Sequence, residues 1–413
     1  MTEPEPDPSK PNPYQKILSL DGGGTWALIQ VHALMNLFGK DATGHDVLKH
    51  FDLVVANSGG AVVAGAMACN LPLKEIANLF ENETARRTIF QEEWPTTVRR
   101  GLALPRYSMP AKYDGLRAAI REFTTDAEMT LPKWHAKYHN LPHLMIIGFD
   151  YDMERAAFFR SDVKSRAASS SSAAPSSATI LDAVHASSNA PVMFFDGPTH
   201  VPEGSTVGRR YWDGAIGGYN NPAMAGVVEA LANLPDPADR DKIKVLSLGT
   251  GTVRRPRRPA DKSASDGLYM GGKTPGIIRD LKKLAMSILD DPPDAASFVA
   301  HVALGGSLPS PRGKSVTDSP IVRMNPVIRP IKNGDGWAWS QTFSEETWLK
   351  LVDLEMDALS VDDVKLVQAL CTAWIADAVP NQPIRADDRL EAEIGHDLYG
   401  EAREAARKML GLG

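Results

Sequence analysis

The chain has 413 residues and a mass of 44.8 kDa, which suits about two or three domains, or one large domain with additions. Hydrophobic residues make up 43% and charged residues 23%, a globular composition that excludes disorder over most of the chain. The formal charge of -6 gives no support to a nucleic-acid binder held by bulk charge, and two cysteines, Cys69 and Cys371, exclude a disulfide framework.

No apolar run reaches the length of a membrane-spanning helix. The N-terminus is acidic and proline-rich, the reverse of a secretory signal or transit peptide. The expectation is a cytoplasmic protein of a reducing compartment, with peripheral membrane contact left open. Residues 1–13 read as a loose tail. Lys16 to Leu20 (KILSL) reads as a buried strand ending in Asp21-Gly22-Gly23-Gly24, and a helix is predicted from Thr25 to Phe38 with Gly39 as its stop. Phe51 to Asn57 is a second strand, breaking at Ser58-Gly59-Gly60 into a helix of small residues. Leu144 to Phe149 and Ala156 to Phe159 follow as strands, then a low-complexity loop over 168–178 and a helix from Ile180 to Ser188. Lys244 to Leu248 (KVLSL) is another buried strand, ending in Gly249-Thr250-Gly251. Helices are expected near 275–290, 361–378 and 396–411, around a strand at Ile321 to Met324. Strands alternating with helices imply an α/β fold with a mainly parallel sheet flanked by helices.

Two strand-to-helix junctions can carry chemistry, because open α/β sheets bind ligands at the carboxyl ends of their strands. At the first, Gly22, Gly23 and Gly24 permit unusual dihedrals, and the following helix leaves its first N–H groups unpaired. Such a loop holds a phosphate or a developing oxyanion. At the second, Ala56-Asn57-Ser58-Gly59-Gly60 has the layout of a nucleophile elbow, with Ala56 in place of the first glycine. The plainer reading is Ser58 as a helix N-cap. A nucleophilic serine needs a base. None of the ten histidines sits late in the chain in an informative context. The remaining candidate is a carboxylate, Asp213, within Tyr211-Trp212-Asp213-Gly214-Ala215. His135, His139 and His143 are spaced four apart, but Pro142 interrupts any helix there and no metal site is expected.

In this order, DGGG after a strand, Asn57-Ser58-Gly59-Gly60, and Asp213-Gly214-Ala215 resemble the patatin-like phospholipase family. Tyr113-Asp114-Gly115-Leu116, Ala186 to Pro191 with Phe194-Phe195, and Val245 to Gly251 resemble further segments of it. The match covers residues 16–252, with a looser continuation to 330. The resemblance implies a three-layer α/β domain over 14–330 with a mostly helical extension over 331–413. It implies hydrolysis of lipid acyl esters by a Ser58–Asp213 dyad without histidine, metal or cofactor. The backbone N–H groups of Gly22, Gly23 and Gly24 would form the oxyanion hole, and Trp26, Gly59 and Gly60 would contact substrate. The family's basic residue after DGGG-x is Trp26 here and its next glycine is Ala27, which weakens headgroup phosphate binding and leaves the backbone hole intact.

The stretch 84–112 interleaves arginines (Arg86, Arg87, Arg99, Arg100, Arg106) with apolar residues. It suits either docking on anionic lipid or a self-packed insertion. Arg254, Arg255, Arg257 and Arg258 read as a solvated loop. Two rivals remain: a sugar-kinase-like ATP-binding protein, with Asp21 on Mg²⁺ and the glycines on phosphates, and an inactive patatin-like interaction module. Nucleic acid is not an expected partner.

Overall fold

Short runs of β-branched and aliphatic residues build the centre of the molecule. The computed structural model describes residues 14–89, 106–121, 125–168, 173–191, 194–203, 206–259, 267–270, 295–309 and 315–412. The main sheet comprises β1 (Lys16–Leu20), β2 (Leu53–Asn57), β3 (His143–Asp150), β4 (Arg155–Arg160), β5 (Thr199–Glu203), β6 (Thr206–Asp213) and β7 (Lys244–Leu248). After the short β8 (Thr252–Val253), which lies outside it, β9 (Ile321–Met324) completes the sheet. The order is β5-β6-β3-β2-β1-β7-β9, with β4 also on β3. The run from β3 to β9 is parallel, and β4, β5 and β6 are antiparallel additions.

The period of two along each strand splits the interior into two cores. Leu18, Leu20, Val54, Ala56 and Ile146 face helices Leu28–Phe38 and Ser58–Ala68. Ile17, Leu53, Val55 and Ile147 face helix Ala223–Ala232. The result is three layers, helix on sheet on helix. Both cysteines are buried and unpaired with each other.

The predicted strands at 16–20, 244–248 and 321–324 match the observed ones. The helix expected from Thr25 begins instead as a 3-10 turn, Gly24–Ala27, before turning α-helical at Leu28. The cause is tertiary: Thr25 N donates to the Met356 carbonyl at 2.9 Å, and Gly24 sits at φ 56°. The predicted tail 1–13, the helix near 275–290 and residues 90–105 of the arginine-rich stretch lie outside the described residues.

The extension contributes helices Glu345–Asp353, Val361–Ile375 and Tyr399–Leu410. Trp348, Trp374 and Tyr399 are buried in the same core as Leu34 and Met67, so it completes one side of the domain. Reciprocal capping boxes start helices at Thr43 with Asp46, Thr179 with Asp182 and Ser360 with Asp363, each contributing about 1 kcal/mol.

From β9, Arg323 reaches under the glycine loop. Its Nη2 donates to Asp21 Oδ2 at 2.6 Å and its Nη1 to Ser247 Oγ at 2.8 Å. Asp21 is 4% exposed and Arg323 5%. Removing one member of such a buried pair strands the other charge at a cost of about 3–5 kcal/mol. Arg323→Met is therefore expected to lower the unfolding free energy by about that amount, measured by urea denaturation. A wild-type midpoint would show that Asp21 does not depend on this cation.

Candidate active site

Strand β3 acts as a rail on which two other strands meet end to end. Along it, β2 runs parallel and ends with Asn57 opposite Ile147. The next position, Gly148, is paired with Asp213 at the end of antiparallel β6. The chain after Asn57 must leave the sheet, and it does so at Ser58, the first residue of helix Ser58–Ala68. Ser58 has φ 52°, a left-handed conformation costly for a residue with a β-carbon. This sharp turn sets the serine beside the carboxylate.

The turn works only because its neighbours lack side chains. A β-carbon on Gly59 would lie 2.5 Å from Gly24 O, and one on Gly60 would lie 2.5 Å from Leu20 O. On Gly214 it would lie 2.5 Å from Asn57 Oδ1. Ala56 needs no glycine because it lies within β2, in regular strand conformation. Ser58 N donates to Ser187 Oγ at 2.9 Å, which fixes the elbow to helix Ile180–Ser187.

Asp213 is 3% exposed. Its Oδ1 accepts from Asn57 Nδ2 at 3.1 Å and from Ala215 N at 2.9 Å, and the nearby Ser58 hydroxyl favours its charged form. Burial pushes its pKa above the usual carboxylate value; the Ser58, Ala215 and Asn57 donors and the charge of Lys112 oppose that rise. Among the described residues no histidine bonds either Ser58 or Asp213. His135 and His143 do stack, with ring centroids 3.8 Å apart, but no metal-holding group of His, Cys, Asp or Glu occurs among the described residues.

The glycine loop packs directly on the elbow: a β-carbon on Gly22 would lie 2.9 Å from Ser58 Cβ. Its three amides are not equivalent. Gly22 N donates to Asn220 O at 2.8 Å, which removes it from the expected set of oxyanion donors. Gly23 and Gly24 N–H have no partner among the described residues. Gly23 (φ 159°) is locked against Thr250, whose Oγ1 donates to Gly22 O at 2.6 Å.

The elbow opens into a cleft with about 810 Å³ of empty space, part of it open to solvent. Val62, Leu79, Phe80, Leu116, Phe194 and Phe195 make its walls apolar, and Ser58, Gly59 and Gly24 lie at its base. Gly59 thus stands where substrate contact is expected. Gly60 is packed on β1 instead, and Trp26 turns away from the cleft, its ring against Gly251 and its Nε1 donating to Glu355 O at 3.2 Å.

Residues of the extension that the sequence reading missed form one rim. Met356 and Asp357 line the cleft. Asp357 O accepts from Thr25 Oγ1 at 2.5 Å, and its carboxylate is held by Arg106 and Tyr107. Arg86 donates to Leu359 O at 3.0 Å and to Phe80 O at 2.8 Å. Two arginines read as lipid-facing or surface groups are therefore structural clamps at this rim. The sequence carried no sign of a contact across some 250 positions (|i−j| = 251). Lys112 also escaped notice; it lines the cleft and is 2% exposed.

A family described as patatin-like phospholipase matches residues 18–227. The chain belongs to the patatin-like phospholipase family. A curated relative, the cGAMP-activated phospholipase of Pseudomonas aeruginosa, is 26% identical over 241 residues, covering 58% of this chain and 64% of its own length. The chain thus spans less than two thirds of that relative. VipD from Legionella pneumophila is a similar solved structure, at 14% identity and a TM-score of 0.34 over 98% of this chain and 76% of that one. Patatin-like phospholipases are hydrolases of lipid esters, so this family gives the kinase rival no support. The structure agrees on physical grounds: the Asp21 carboxylate that would hold Mg²⁺ is buried against Arg323, and Gly22 N is committed to Asn220.

The contact between elbow and glycine loop has a testable consequence. Alanine is the better helix former, yet Gly59→Ala is expected to destabilise the protein by about 1–3 kcal/mol through overpacking against Gly24. Chemical denaturation decides the sign. A stabilised variant would show that the two turns can separate without cost.

Proposed function

We propose that this protein is a lipid acyl hydrolase working by a Ser58–Asp213 dyad. The observation that carries the reading is the elbow itself. A serine at φ 52°, close to a buried carboxylate, lines an apolar cleft together with Gly24, whose N–H has no partner among the described residues.

The chemistry follows from that layout. Ser58 Oγ attacks the acyl carbonyl carbon while its proton passes to Asp213. The carbonyl oxygen becomes an oxyanion, which the N–H groups of Gly23 and Gly24 stabilise. Collapse breaks the ester C–O bond, and Asp213 returns the proton to the leaving alcohol. The acyl group is now on Ser58. Water attacks it, giving a proton to Asp213, and the second collapse breaks the acyl–serine C–O bond, frees the fatty acid and returns that proton from Asp213 to Ser58 Oγ. Asn57 and Ala215 hold one carboxylate oxygen, which orients the other for proton transfer. The apolar walls accept the acyl chain. No helix of the described residues is long and apolar enough to cross a membrane.

Ser58→Ala is expected to abolish both ester hydrolysis and fluorophosphonate labelling while leaving the circular dichroism unchanged. Asp213→Asn should lose several orders of magnitude in rate, as such groups do elsewhere. Single replacement of each histidine should not. The assay uses a short-chain nitrophenyl ester and a phospholipid panel, each with and without cGAMP because of the activated relative. Full activity of Ser58→Ala, or a histidine equal to Asp213 in effect, would overturn the dyad.

The pH profile carries a sign. Asp213 must be ionised to take the serine proton, and burial raises its pKa above 3.8. Activity should therefore be lost, as pH falls, at a higher pH than an ordinary aspartate would give. An acid limb at or below the ordinary value would argue against Asp213 as the base.

A further inference from the structure

The glycine loop is held by its carbonyl oxygens. A peptide unit is planar and trans, so its C=O and its N–H point in opposite directions. Holding the oxygen of one residue therefore aims the N–H of the next. The two amides assigned to the oxyanion belong to the Gly22–Gly23 and Gly23–Gly24 peptides. In the second, Gly23 O accepts from Trp26 N at 3.1 Å, a bond within the 3-10 turn that follows the loop. In the first, Gly22 O accepts from Thr250 Oγ1 at 2.6 Å, across 228 positions of sequence.

The sheet explains why Thr250 is there. β1 and β7 are parallel neighbours with Leu20 opposite Leu248, so the chains leaving both strands run side by side. Thr250 is 9% exposed. A β-carbon on Gly23 would lie 2.2 Å from its Oγ1 and 2.5 Å from its Cβ, which seats the side chain directly against the loop backbone. The turn that carries Thr250 is braced from β9. Asn325, just past Met324, accepts from Gly251 N at 2.6 Å through Oδ1, and a β-carbon on Gly249 would collide with it. Asn325 Nδ2 donates to Gln382 Oε1 at 2.6 Å and to Thr252 Oγ1 at 2.8 Å, which decides the end of the amide that faces the turn. Thr250 is not among the residues that line the cleft.

We propose that Thr250 is a positioning residue for the reaction: its hydroxyl holds the Gly22 carbonyl and so keeps the Gly23 N–H turned toward the oxyanion. Glycines on both sides of this peptide give it little resistance to turning over. A turned peptide presents the Gly22 oxygen, a partial negative charge, where the N–H should be. The loop then repels the charge that it should stabilise. The Thr250 hydroxyl prevents that reversal, and its methyl group fills space beside Gly23.

The inference rests on the dyad reading, so the test separates the two. Values of kcat and KM for a soluble nitrophenyl ester are compared for wild type, Thr250→Val and Thr250→Ser. Inhibition by a trifluoromethyl ketone, whose adduct with Ser58 carries an oxyanion, is measured beside them. Valine keeps the shape of the side chain and loses the hydroxyl; serine keeps the hydroxyl. Loss of one oxyanion donor costs about 10²–10³ in rate. Thr250→Val loosens a donor without deleting it, and is expected to lower kcat by about tenfold or more with KM near wild type. Affinity for the ketone should fall by the same factor, and Thr250→Ser should recover most of both. A merely structural role would lower the melting temperature and leave kcat per folded enzyme unchanged. Wild-type kcat and ketone affinity in folded Thr250→Val would overturn the inference, as would a serine variant as impaired as the valine one. Crystal structures of wild type and Thr250→Val add a readout without turnover: the Gly22–Gly23 peptide is expected to be turned over, or split between two orientations, only in the variant. If the wild type neither labels at Ser58 nor hydrolyses ester, the dyad reading fails, and an unmoved peptide in the valine variant would separately overturn the role of Thr250.

Discussion

The site depends on one constraint of strand pairing. β3 can pair with only one chain at each position along an edge. Below Gly148 that chain is β2, and at Gly148 it is β6, running the other way. Two strands with opposite directions thereby end at the same point. One delivers a serine, the other an aspartate. The proximity of Ser58 and Asp213 is thus a property of sheet register. A one-residue slip of β6 would point Asp213 to the other face of the sheet.

The glycine loop is governed from further away. Asp21 N is held by Leu248 O on β7, its carboxylate by Arg323 on β9, and Thr25 by the 356–357 segment of the extension. Gln30 adds Nε2 bonds to Asp21 O at 2.8 Å and Leu248 O at 3.1 Å. A loop of glycines has high intrinsic freedom, so amides aimed at an oxyanion need such external fixing. The last third of the chain supplies much of it, which makes the extension part of the site's framework.

Much of the site was legible in the sequence because its determinants are local. Strand endings, consecutive glycines and small residues after a serine mark tight turns wherever they occur, and KILSL, FDLVVAN and KVLSL read as strands from their apolar runs, although the second begins two residues later, at Leu53. Distant pairing was not legible. Nothing near Gly22 shows that its N–H is spent on Asn220. Trp26 next to a glycine loop invites a ligand role, yet its ring packs on Gly251. Arg86 and Arg106 read as lipid-docking or insertion residues and Lys112 went unremarked, because lysine and arginine are seldom buried. Their partners are backbone carbonyls and a carboxylate far along the chain.

The left-handed serine has an evolutionary and practical meaning. At φ 52° the backbone of position 58 would be more relaxed as glycine, which tolerates that region freely. The fold and the nucleophile therefore make opposing demands on a single residue. Stability is given up locally, in an amount of about 1–3 kcal/mol, to keep a hydroxyl on the turn. Drift toward better folding at this position leads to an inert scaffold that retains the cleft, the glycine loop and the clamped rim. If the proposed dyad holds, a protein without turnover is one substitution away, and it lies downhill in folding energy.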